Sequence, residues 1–178
     1  MELIYTTTNS IGTVMTYKKG SANLSQKTLD ENIGTCAAQS TVWISNMRKM
    51  RPELTKPDQG RCAIMFAKNW IRKTGDQRVL ANITDAGLQR AGSKTFQSIG
   101  FALRFVAVNK GYALIELSQG HYIAAANIDS GYYLFDCNNG QGLWQTSDVD
   151  DFLTNGQAKL TNFGWSNNQT IYMSLIAV

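Results

Sequence analysis

The sequence predicts an α+β domain in which helices in the first half pack on an antiparallel sheet in the second. Three observations carry this. From Cys36 to about residue 91 apolar side chains recur three and four positions apart, the helical period. After Gly92, β-branched and aromatic residues alternate with polar ones between Gly and Asn punctuation, the period of strands. A chain of 178 residues, 43% hydrophobic and 17% charged, can bury one sizeable core.

Residues 1–30 mix Thr, Ser, Asn, Lys and Gly with little periodicity and read as a loosely structured N-terminal arm; residues 31–178 read as the folded domain. Ala37, Ser40, Val42, Trp43, Ile44 and Met47 keep small or apolar side chains on one broad face until Pro52, predicting a helix of about four turns that starts at Cys36. Ile64, Met65, Phe66, Trp70 and Ile71 predict a second helix, closed by Gly75. Val79, Leu80, Ile83, Ala86 and Leu88 predict a third across 76–91, with Gly87 inside it. Strands are predicted over 112–117, 121–128, 132–135, 142–145 and 170–178, with a short helix at 147–153 capped by Ser147.

Seventeen Lys and Arg against thirteen Asp and Glu leave a net charge of +4. Arg48, Lys49 and Arg51, and Lys68, Arg72 and Lys73, interrupt apolar positions at helical spacing. They read as solvated helix faces, the competing reading being weak steering toward nucleic acid or an acidic membrane. No nucleic-acid motif accompanies them, so no nucleic-acid partner is expected. Cys36, Cys62 and Cys137 form neither a disulfide framework nor a CxxC zinc pair, so a reducing compartment and no metal or cofactor are expected. No secretory signal stands at residues 1–19, and no run of eighteen apolar residues predicts a membrane span.

A thiol becomes a strong nucleophile as thiolate, which a helix N-terminus and a neighbouring imidazolium both favour. Cys36 follows Gly34-Thr35 and opens a long helix, so it is the candidate nucleophile; a buried structural cysteine is the alternative. The chain holds one histidine, His121, so any Cys/His chemistry uses it as the general base. Directly opposed residues of an antiparallel pair have a constant index sum. A two-residue turn at Asp129-Ser130 sets that sum at 259, the value for Ile128 and Gly131. His121 and Asp136, two short of it, are then diagonal neighbours on one face, and Asp136 can orient the imidazole. A three-residue turn would place them on opposite faces. Asn32 is the nearest side-chain amide for an oxyanion hole, with Gln26 behind it.

With these pieces in place, the sequence resembles the YopT and AvrPphB type of bacterial effector cysteine protease, a branch of the papain-like peptidases. Three segments carry the likeness: Gly34-Thr35-Cys36-Ala37-Ala38-Gln39-Ser40-Thr41-Val42-Trp43, Gly120-His121-Tyr122-Ile123-Ala124, and Tyr133-Leu134-Phe135-Asp136-Cys137-Asn138-Asn139-Gly140. The interval from His121 to Asp136 and a short helix after the acid agree with that family. Cys137 stands where the family often has proline, Asp30 where an oxyanion glutamine is usual, and the interval from Cys36 to His121 is short. Some relatives cleave their own arm between lysine and glycine, as at Lys19-Gly20, and lipidate the glycine. The lipid acceptor pattern wants Ser or Thr four residues on, where this chain has Leu24.

The resemblance implies a papain-like fold and a thiol peptidase with Cys36, His121 and Asp136 as its triad. It also implies a protein or peptide substrate, secretion by a specialised system without a cleavable signal, and action in the cytoplasm of a host or rival cell. Two other readings stand beside it. The same triad could serve a glutamine deamidase, a transglutaminase or a cell-wall peptide amidase, and the chain could be a non-enzymatic toxin or binding module.

Overall fold

Helix and strand follow from where apolar residues can be buried together. The computed structural model describes residues 1–7, 35–70, 73–138 and 140–178. Thr35–Met47 forms α1, buried at every position but Asn46. Gln59–Met65 forms α2, capped by Asp58 and continued by a π-helical turn over Phe66–Trp70, and Asp76–Asp85 forms α3. The third helix thus stops short of residue 91, because Gly87 adopts a left-handed φ of 75° and ends it.

Arg90–Ser98 (β2) is followed by α4, Ile99–Val108, then β3, Gly111–Leu117, and β4, His121–Ile128. Gly131–Phe135 (β5), Gly142–Thr146 (β6), α5 over Val149–Asn162 and β7 over Asn168–Ile176 complete the chain. The segment expected as a loose arm contributes Glu2–Thr6 as a further strand, β1. It pairs with β6 so closely that a Cβ on Gly142 would lie 1.9 Å from the Tyr5 carbonyl oxygen. The rest of that arm, including Lys19-Gly20, lies outside the described residues.

The seven strands form one antiparallel sheet in the order β1-β6-β5-β4-β3-β7-β2. Helices cover both faces, so the central strands are apolar on both sides. Tyr122, Ala124 and Ala126 of β4, with Tyr133 and Phe135 of β5, meet α1 to α3. Ile123 and Ala125 of β4, with Leu134 of β5, meet α4 and α5. Trp43 of α1 stacks on Phe135 at 5.4 Å, and Ser40 Oγ donates to the Tyr122 carbonyl at 3.2 Å. This is the predicted α+β class, with the cysteine-bearing helix laid on the middle of the sheet.

Candidate active site

Cys36 is the second residue of α1, so its backbone N–H is one of those that helix geometry leaves without an intrahelical acceptor. Its Sγ accepts from the Tyr122 N–H at 3.4 Å and lies 3.8 Å from the Gly120 carbonyl oxygen. His121 sits between those two residues. It opens β4 opposite Leu117, after a tight turn whose Gly120 takes a φ of 76°.

The β4–β5 register pairs Ile128 with Gly131 and Ala124 with Phe135, the index sum of a two-residue turn. His121 and Asp136 accordingly fall on one face, and His121 Nε2 lies 2.8 Å from Asp136 Oδ1. Nδ1 is the nitrogen left for the Cys36 sulfur, with which the imidazole shares a hydrogen bond. All three side chains are buried.

Asp136 is held from several directions. The Asn138 N–H donates to Oδ1 at 2.9 Å, its own N–H donates to the Gly142 carbonyl at 3.0 Å, and Thr7 Oγ1 donates to its carbonyl at 3.1 Å. Thr7 follows directly on β1, so the first strand braces the site's acid. On the far side of the sheet Trp165 stacks on the imidazole at 5.0 Å with an interplanar angle of 5°. Sequence reasoning missed both residues. Thr7 lies in a stretch without periodicity, and the signal for Trp165 is weak: a large aromatic in the polar loop Gly164-Trp165-Ser166. Asn32 and Gln26 lie outside the described residues.

The electrostatics follow from these contacts. A hydrogen bond from Cys137 is the largest influence on Cys36; with His121 and the Tyr122 N–H it outweighs burial and pulls the thiol well below its ordinary value. Burial would push His121 down, but Asp136 and the Cys36 sulfur carry it up to about 10. Thiolate and imidazolium therefore stabilise each other. Burial pushes Cys62 up to about 12, and Cys137 is raised by its donation to Cys36 and by burial. Among the described residues no group of His, Cys, Asp and Glu is arranged to hold a metal.

Trp165→Ala should strip the cover from one face of the imidazolium and let water compete with Asp136. Loss of a stacked aromatic next to a cation is expected to slow any Cys36-dependent reaction roughly threefold to thirtyfold, read as alkylation of Cys36 at pH 7.

A cysteine opening the first long helix, beside a histidine and a carboxyl presented by a following antiparallel sheet, is the layout of a cysteine-protease-like fold. Comparison with solved structures places the chain in that class: the crystal structure of the Pseudomonas avirulence protein AvrPphB superposes with a TM-score of 0.60 at 20% identity, over 81% of this chain and 92% of that one. PatoxP, a cysteine protease-like domain of the Photorhabdus asymbiotica toxin PaTox, aligns at a TM-score of 0.45 and 11% identity, over 93% of this chain and 58% of its own. No family model and no curated protein matches.

Proposed function

We propose that this chain is a thiol peptidase of the bacterial effector or toxin kind, hydrolysing a peptide bond in a protein of a host or rival cell. The observation that carries this reading is the buried chain of contacts from the Cys36 sulfur through the imidazole to Asp136, with 2.8 Å between His121 Nε2 and Asp136 Oδ1. The Cys36 thiolate attacks the substrate carbonyl, the carbon–sulfur bond forms, and the oxyanion is met by the Cys36 backbone N–H at the positive end of α1. Imidazolium Nδ1–H protonates the leaving amine as the carbon–nitrogen bond breaks. Water, deprotonated by the imidazole, then attacks the thioester, releasing the new carboxylate and restoring the thiol. Asp136 keeps Nε2 engaged throughout and so fixes which nitrogen exchanges the proton.

The reading is tested by incubating wild-type and Cys36→Ala protein with host and bacterial extracts and sequencing new protein termini. New termini made by the wild type alone support it. Glutamine side chains heavier by about one mass unit, without chain cleavage, would instead identify a deamidase working through the same three residues.

A further inference from the structure

Next to Cys36, on the α1 side of the sheet, a groove of about 520 Å³ runs between the start of α3 and the exposed faces of β3, β7 and β2. Gly120 and Tyr122, the neighbours of His121 that contact the Cys36 sulfur, form its near end, so a peptide seated on Cys36 extends a side chain directly into it. Its wall there is aromatic: Trp70 meets Tyr122 edge-on at 5.5 Å.

The floor carries Glu116, directly opposite Tyr122 across β3 and β4 and opposite Tyr172 across β3 and β7. Its partner is the Tyr122 hydroxyl. Among the described residues it makes no ion pair, although three cations also line the groove, because each of these is engaged elsewhere. Arg90 is bound through both guanidinium nitrogens to Asp76 at 2.6 and 2.8 Å. Arg78 donates to the Lys73 carbonyl at 2.6 Å and lies over the Trp70 ring. Lys94 places its ammonium over Phe105, on the α4 side of the sheet. Glu116 is thus a half-buried carboxyl between aromatic rings, beside a thiolate, with its charge uncompensated. Burial raises it, Tyr122 partly offsets this, and the charges of Cys36 and Asp76 raise it further. A half-buried anion in such a place is stabilised by an incoming cation with donors of its own.

Building on the proposed peptidase function, we propose that this groove takes a lysine or arginine side chain of the substrate, within two residues of the bond that Cys36 attacks, with Glu116 as its anionic contact. Trp70 and Tyr122 flank the methylene stem, which such side chains bury against apolar surface while the charged head finds its partner.

The test uses tripeptidyl chloromethyl ketones, which alkylate an active-site thiol. Each of the first two residues from the reactive carbon is made Arg, Leu or Glu in turn, with alanine elsewhere, and Cys36 modification is followed by intact-protein mass. At one of the two positions Arg is expected to react about tenfold to a hundredfold faster than Leu, the worth of a charge-assisted hydrogen bond, with Glu slowest. In Glu116→Gln the Arg-to-Leu ratio should fall toward one, and in Glu116→Arg the order should turn in favour of Glu. These are ratios within one protein sample, so a loss of folded protein does not imitate them. Equal rates for Arg and Leu in the wild type, or an Arg preference that survives both substitutions, would overturn the inference while iodoacetamide still selects Cys36. If iodoacetamide reacts no faster with Cys36 than with Cys62 and Cys137, the peptidase reading falls and this inference falls with it.

Discussion

Cys36→Ala is expected to lower substrate hydrolysis at least ten-thousandfold while leaving the melting temperature within a few degrees of the wild type. The first half follows from the role: without the sulfur no acyl-enzyme forms, and what remains is whatever acceleration the oxyanion donor and substrate binding provide. The second half follows from two opposed terms. The substitution removes the attraction between thiolate and imidazolium, but also the cost of holding that thiolate in a buried position, where Cys36 is 4% exposed. A net change of about 1 kcal/mol moves the melting temperature of a chain this size by roughly 2–4 °C. Hydrolysis and thermal melting measured on the same preparation check both halves. Full activity in the variant would remove Cys36 from the mechanism.

Asp136→Asn should lower the rate about a hundredfold to ten-thousandfold and also narrow the pH range of activity. Asp136 supports the cationic form of His121, which is raised to about 10 against the opposing effect of burial. A carboxamide of nearly the same shape withdraws that support, so the imidazole loses its proton at lower pH. The imidazolium in turn supports the thiolate, so the Cys36 thiol holds its proton to higher pH. In the wild type the reactive ion pair spans a window from the depressed value of Cys36 up to about pH 10. In the variant the upper limb moves down and the lower limb moves up. Rates of Cys36 alkylation by iodoacetamide across pH 4 to 11 report both limbs. An unchanged profile with a lower plateau would mean that Asp136 acts on folding alone.

Much of this arrangement is visible in the sequence because its determinants are local. The α1 start is set by a long buried face beginning at Cys36, and the hairpin partner of His121 is set by turn length, since two residues between β4 and β5 leave one register in which the apolar faces match. The reading of everything after Gly92 as sheet fails over α4. Ile99–Val108 is a dense apolar run with β-branched and aromatic members, which resembles a buried strand in composition. Its helical signature lies in spacing and cap. Ile99, Ala102, Leu103, Val106 and Ala107 are the buried positions, and Ser98 accepts from the Phe101 N–H at 3.1 Å.

Likewise α5 runs to Asn162, with Asp148 rather than Ser147 as its cap, because Leu160 has a buried place against the sheet. The edge strands β1 and β2 carry little apolar alternation and are held by hydrogen bonds to β6 and β7, contacts distant in sequence. Thr7 and Trp165 reach the site only through such long-range pairing, as does Glu116 in its groove.

The contact between Ser40 and Tyr122 bears on how the protein fails when heated. Nucleophile and base stand on α1 and β4, which share the central core and are pinned to one another a turn beyond Cys36. No surface segment carries either group, so there is no partial opening that would pull sulfur and imidazole apart while the rest of the molecule stays intact. Heat inactivation and loss of tertiary structure should therefore coincide at one temperature, and a sample cooled back from that transition should regain activity in step with refolding.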